Sequence, residues 1–316
     1  MTGSKTARFL VFFGCLVIMG LLIWLFQDTP AVRLAGEARM PSLPSRTFTP
    51  DPPTPSPDPS LAPRATPTRR LTPTPTPNFT PTPVGVEGEP VSIGVSVEGR
   101  PLEVVRFGSG PSRRMIVAGI HGGYEANTIV LADQLIAHLK ENPGMVPPEV
   151  TLYILRSFNP DGAARGETGR PNANNVDLNR NWGVNWKEDW NRSGCYGDAA
   201  ITGGEYAHSE PETQALAGFL VVQQVQVLIS YHSAGLGIFA GGGEQDTPST
   251  RLAEVLEAAS GYRFPPVDTG CEYTGQLVDW AAVLGIAAVD VELTNHYDTD
   301  FNANLKLLQA FLTWQP

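Results

Sequence analysis

Positive charge, histidine and cysteine are all scarce in this chain. Its 316 residues carry 22 lysines and arginines against 32 aspartates and glutamates, a formal net charge of -10. Residues 1–84 hold eight basic and four acidic side chains, so the remainder runs at 14 basic against 28 acidic. A surface this acidic repels a phosphate backbone, and nucleic acid is not an expected partner. Three cysteines, Cys15, Cys195 and Cys271, are too few for a disulfide-knit scaffold. With five histidines in total, any imidazole-based metal site must draw on a very small stock. The glycine-rich stretch Gly235 to Gly243 opens no helix with a phosphate-binding pattern, so no nucleotide loop is expected there.

What is present divides the chain into unlike parts. Lys5-Thr-Ala-Arg8 precedes an unbroken apolar run from Phe9 to Phe26, about the length that spans a hydrocarbon core. The reading is a cytoplasmic N-terminus at residues 1–8, a single transmembrane signal anchor at 9–26, and an extracytoplasmic remainder, since basic residues stay inside. A cleaved signal peptide, giving a secreted form, is the competing reading, with Gly36-Glu-Ala38 its distant cleavage candidate. Cys15 sits inside the apolar run and not behind a lipobox-like triplet, so lipidation is not expected. From Pro41 to Pro83 roughly every third residue is proline, interleaved with threonine and serine. Such a segment cannot build a core; residues 27–84 are read as a disordered, extended spacer. Asn78-Phe-Thr80 and Asn191-Arg-Ser193 match the glycosylation sequon, which means nothing in a bacterium.

Near Val84 the pattern changes to β-branched runs alternating with helical periodicity. Strands are predicted at Val91 to Val97, Glu103 to Phe107, Met115 to Ile120, Val150 to Leu155, Val225 to Tyr231 and Ile286 to Leu293. Helices are predicted at Thr128 to Leu139, Glu210 to Val222, Ser249 to Ala259, Leu277 to Leu284 and Phe301 to Leu312. Strands separated by helices imply one α/β domain over 85–316, a three-layer α/β/α sandwich whose mixed sheet is parallel at its centre. The first two strands form an antiparallel hairpin at one edge. Ser209-Glu-Pro-Glu212 reads as a capping box, and Asn159-Pro-Asp-Gly162 as a tight turn.

Four short phrases stand out: His121-Gly-Gly-Tyr-Glu125, Val176-Asp-Leu-Asn179-Arg180-Asn-Trp182, Ser230-Tyr-His232-Ser233 and Val291-Glu292-Leu293. His121, His232 and Glu292 all fall at the carboxyl ends of predicted strands, where an α/β sheet gathers its chemistry. Two imidazoles and a carboxylate suffice to hold a catalytic zinc with a position left open for water.

In order and wording, these phrases together with Gly275 to Trp280 resemble the zinc metallocarboxypeptidase family of carboxypeptidase A over most of residues 85–316. The resemblance implies one zinc ion per chain, bound by His121, Glu125 and His232. It implies Glu292 as general base and proton shuttle, Asn179 and Arg180 as the grip on a substrate's terminal carboxylate, and Arg170 as oxyanion stabiliser. Asp177 matches the family aspartate that takes a hydrogen bond from the first zinc histidine. The implied enzyme is a membrane-anchored, extracytoplasmic carboxypeptidase acting on peptides with a free C-terminal carboxylate.

The phrases also depart from the family. Its first ligand pair is usually His-x-x-Glu, whereas one more residue separates His121 from Glu125; Gly122 and Gly123 relax the backbone enough for a bulge to deliver Glu125. An ungapped match back from Asp279-Trp280 puts Cys271 where many members carry a substrate-side tyrosine, and Tyr273 is the nearest replacement. Val278 takes the position that sets side-chain preference in digestive members, which suggests neutral or apolar terminal residues. Cys195 and Cys271 both lie in the exported part, where a disulfide is permitted. His138, His208 and His296 are read as ordinary. The alternatives are an aspartoacylase-like amidase or deacylase of the same fold and a non-catalytic cell-surface binding module.

Overall fold

The computed structural model describes residues 85–189, 201–243 and 247–315. The anchor expected at 9–26 and the spacer at 27–84 lie outside the described residues, as do both sequons and Cys195. Among the described residues no helix is long and apolar enough to cross a membrane.

The strands are β1 (Pro90–Val95), β2 (Pro101–Gly108), β3 (Ser112–Val117), β4 (Val150–Leu155), β5 (Val227–Ser233), β6 (Ile238–Ala240) and β7 (Ala287–Leu293). The helices are α1 (Ala126–Glu141), α2 (Pro160–Ala164), α3 (Pro211–Val222), α4 (Pro248–Ser260), α5 (Leu277–Val283) and α6 (Phe301–Thr313). One sheet runs in the order β1-β2-β4-β3-β5-β7-β6. Its inner members β4, β3, β5 and β7 pair in parallel, while β1–β2, β2–β4 and β6–β7 are antiparallel. Every residue of β4 and β5 is buried. A sheet covered on both faces requires this, because neither side of a central strand meets water.

Side-chain alternation assigns the two faces. Ile116, Ile229, Val289 and Val291 enter a core formed with α1, α4 and α6 through Leu135, Leu256 and Phe311. Met115, Val117, Leu228 and Ala288 enter a second core formed with α3 and α5 through Leu216, Leu277 and Trp182. These are the three expected layers. Arg114, fully buried, donates from Nη2 to the Trp314 carbonyl at 2.6 Å and from Nη1 to the Phe311 carbonyl, tying the end of α6 to the sheet.

The structure corrects several local expectations. β3 ends at Val117, three residues short of Ile120, and β5 runs through His232 instead of stopping before it. Strand β6 and the short helix α2 were not foreseen. No capping box forms at α3: the N-cap is Glu210 without a side-chain cap, and Ser209 Oγ donates to Glu210 Oε1 at 2.6 Å. Glu212 is instead fully buried, accepting from Val97 N at 3.1 Å and Asn172 Nδ2 at 3.2 Å. These two donors, brought from distant segments, hold the Glu212 carboxylate away from the cap position. Asn159-Pro-Asp-Gly162 starts α2, with Asn159 Oδ1 capping Gly162 N at 2.8 Å. Asp161 is structural, binding Ser96 Oγ and Glu98 N at 2.6 and 3.0 Å.

Candidate metal centre and active site

The chain leaves β3 through Gly119 (φ 66°) and enters a 3-10 turn, Gly122–Glu125, in which Gly122 has φ 49°. A Cβ on Gly122 would stand 2.5–2.7 Å from backbone atoms of Gly162, Ala163 and Gly169, and one on Gly123 would stand 2.3 Å from the Gly166 carbonyl. Only glycine lets the turn pack this closely on the 162–169 segment. That close packing absorbs the extra residue and brings Glu125 to His121.

The ligand atoms of His121, Glu125 and His232 all lie within 4.8 Å of one another, and all three residues are buried. Nδ1 of His121 stands 2.7 Å from Glu125 Oε1, and Nδ1 of His232 stands 3.4 Å from Glu125 Oε2. Both rings therefore turn the same nitrogen inward. Outward, His121 Nε2 lies 3.2 Å from Asp177 Oδ1, and Arg170 Nε contacts Asp177 Oδ2 at 3.1 Å. His232 Nε2 faces Ser230 Oγ at 3.1 Å and Asp290 Oδ1 at 3.2 Å. A carboxylate or hydroxyl on the outer nitrogen fixes the tautomer that frees the inner one for a metal.

The charges fit a cation as well. Burial alone would raise the carboxyls of Glu125 and Asp177, yet Glu125 beside two imidazoles and Asp177 beside Arg170 and His121 are held well below the usual carboxylate range. His232 goes the other way: burial would lower it, but Asp290 and Glu125 raise it well above an ordinary imidazole. Glu292, paired across the sheet with His232, has its carboxyl pushed up to about 8 by burial, with Glu125 and Asp290 adding to the effect and His232 opposing it. Its Oε2 is buried without a hydrogen-bond partner. Two imidazoles and one carboxylate are the donor set of a catalytic zinc site, and the unsatisfied Glu292 oxygen is left free of it to handle a proton.

A cleft of about 300 Å³ contains the group. Arg180 and Tyr273 line it, with the guanidinium 5.4 Å over the tyrosine ring. Arg180 Nη1 donates to the Asn179 carbonyl at 2.7 Å, and Asn179 Oδ1 accepts from Leu277 N at 2.9 Å. Tyr124 and His296 also line this cleft, packed edge-on with 5.2 Å between ring centres. Arg170 also lines the cleft, with Nη1 3.5 Å from Glu125 Oε1.

Eight of the ten site residues read from the sequence line this cleft and a ninth, Asp177, backs His121; Val278 does neither. It is buried on α5 and lines a neighbouring cavity of about 650 Å³ that shares Tyr273 and Gln276 with the cleft. Cys271 is disulfide-bonded and lines the cleft, and its partner is outside the described residues. Sequence reading missed Asp290, Ser233, Tyr124 and His296. The first was within reach: on β7 it stands two residues before Glu292, and period-two alternation puts both on one face.

Fold and site together define a zinc-dependent hydrolase. A model of the zinc carboxypeptidase family matches residues 88–306, and the chain belongs to that family. It is 31% identical over 210 residues to murein peptide amidase A of Escherichia coli K12, covering 64% of this chain and 80% of that protein. It is 27% identical over 260 residues to mouse carboxypeptidase A2, covering 71% and 62%. Among solved structures it is similar to the murein-tripeptide amidase of Escherichia coli O157, with TM-score 0.52, 26% identity and coverage of 72% and 92%. Carboxypeptidase A of Helicoverpa armigera shares the fold, with TM-score 0.55, 20% identity and coverage of 70% and 66%.

Proposed function

We propose that the protein hydrolyses the amide bond that joins a carboxylate-bearing terminal residue to a peptide, on the outer side of a membrane to which the segment 9–26 anchors it. The supporting observation is that one cleft gathers Arg180 and Asn179, the group His121, Glu125 and His232, and Glu292, which pairs across the sheet with His232.

A planar guanidinium matches a carboxylate with two parallel charge-assisted bonds, so Arg180 selects chain ends, helped by the Asn179 amide. Zinc bound by His121, Glu125 and His232 supplies a Lewis acid and lowers the pKa of water. Glu292 accepts a proton from the attacking water on Oε2 and delivers it to the leaving amine. Arg170 meets negative charge developing on the carbonyl oxygen. Asp177 and Asp290 keep the outer nitrogens of the two imidazoles in place.

Similarity to murein peptide amidase A supports wall-derived peptides as the substrate. Glu292→Gln decides the mechanism: it keeps its zinc and loses at least about 10²-fold in turnover. Full activity in that variant sinks the role of Glu292. Turnover of peptidoglycan stem peptides against ordinary peptides, with and without a chelator, tests the substrate class.

A further inference from the structure

At His296 the cleft wall carries a chain of hydrogen bonds that sets the tautomer of the imidazole. Asn127, buried on α1, donates from Nδ2 to the carbonyls of Asn295 and Asp298 at 2.7 and 2.9 Å. Two acceptors at that atom fix it as the amide nitrogen, which leaves Oδ1 facing Ser233. Ser233 Oγ lies 3.0 Å from Asn127 Oδ1 and donates its only proton there. The hydroxyl oxygen can then only accept from its other neighbour, His296 Nδ1, also at 3.0 Å. The proton of neutral His296 is therefore on Nδ1, and Nε2 carries a lone pair. Tyr124 packs on the ring at an interplanar angle of 63°. His296 is exposed, lines the cleft, and its Nε2 has no hydrogen-bond partner among the described residues.

The position of this acceptor follows from the metal group. Ser233 succeeds His232, and its backbone N–H donates to Glu125 Oε2 at 3.2 Å. Ser233 thus links His296 to Glu125, whereas Arg180 contacts Asn179 and Tyr273. A substrate with its terminal carboxylate at Arg180 and its scissile carbonyl at the metal group must run its acyl side past Tyr124 and His296. We propose that His296 Nε2 accepts a hydrogen bond from an N–H on the residue that supplies the scissile carbonyl. This makes His296 a substrate-binding residue that selects peptides over simple N-acyl amino acids, which lack such an N–H. The inference rests on the hydrolysis proposed above.

The test uses the full-length zinc-loaded protein and two substrates that differ in one atom: a benzoylglycyl amino acid and its benzoyloxyacetyl counterpart, in which oxygen replaces the glycyl N–H. The native protein prefers the N–H substrate by roughly three- to tenfold in kcat/KM, the size of one neutral hydrogen bond. His296→Phe keeps a ring against Tyr124, loses the acceptor and brings the ratio of kcat/KM for the two substrates to about one. An equal preference in native and variant proteins overturns the inference while leaving hydrolysis intact. Absence of zinc-dependent turnover on either substrate overturns the underlying hydrolysis instead. Independently of turnover, nitrogen NMR of the imidazole must show the proton on Nδ1, and an Nε2–H tautomer refutes the hydrogen-bond chain.

Discussion

Glu125→Gln probes the feature that separates this chain from its family, the extra residue between the first histidine and the carboxylate. The native carboxylate has four neighbours that favour negative charge: His121 Nδ1 at 2.7 Å, Ser233 N at 3.2 Å, His232 Nδ1 at 3.4 Å and Arg170 Nη1 at 3.5 Å. Glutamine preserves the shape but turns an NH₂ towards one of these groups and removes the charge from a site that is 2% exposed. Breaking a buried charge pair costs about 3–5 kcal/mol. At about 1.4 kcal/mol per decade that predicts zinc binding weaker by roughly 10²- to 10³-fold. Chelator competition measures the affinity directly. Urea unfolding of the chelated proteins reads the same loss as stability, because the metal-free site also needs the carboxylate between its imidazoles. Native zinc affinity in Glu125→Gln refutes the ligand assignment and moves suspicion to Tyr124, the adjacent residue.

Two further outcomes follow from the same geometry. Gly123→Ala leaves every ligand in place, yet its Cβ would stand 2.3 Å from the Gly166 carbonyl; the turn must shift, and zinc content falls with Glu125 still present, whereas full zinc content shows that the turn can give way. Zinc binding is also predicted to be proton-linked. In the metal-free protein His232 is raised well above its ordinary pKa and Glu292 to about 8, so both hold protons at neutral pH. A metal must displace the proton on the inner nitrogen of His232, so affinity falls as pH drops below these raised values. Calorimetry in buffers of different ionisation enthalpy is expected to show at least about one proton released per zinc, and none released would contradict the charge assignment.

Much of this was legible in the sequence, for identifiable reasons. β4 was read to the residue because Val150 to Leu155 is a continuous buried apolar run between turns. The expected edge hairpin and parallel centre are present, as is the convergence of His121, Asp177, Asn179, Arg180, His232 and Glu292. β6 escaped because three residues, Ile238–Ala240, are too few to show alternation. The capping box failed because Glu212 serves Val97 and Asn172, partners more than 35 residues away that no local window contains. His296 looked ordinary because its role depends on Ser233 and Asn127, brought to it only by the packing of α1 against the segment after β7.

The two imidazoles are supported unequally, and the less satisfied carboxylate also acts on Arg180. Asp177 is a satisfied carboxylate, contacted by Arg170 and by Asn179 N at 2.9 Å, so its charge is largely spoken for before it meets His121. Asp290 Oδ1 lies 3.2 Å from His232 Nε2 but makes no well-directed hydrogen bond of its own. Its field acts more broadly, favouring the charged forms of both His232 and Arg180 and raising Asp279, whose carboxyl burial already pushes up. Burial by itself would weaken the charge on Arg180, and Asp290 and Asp177 both oppose that loss. Because Asp290 and Glu292 share one face of β7, a single strand register places both the proposed general base and the carboxylate that favours the charged form of Arg180. A slip of one residue would send both to the opposite core together. The fixed pairing of His232 with Glu292 and Ser230 with Asp290 is thus a condition for catalysis as much as for folding.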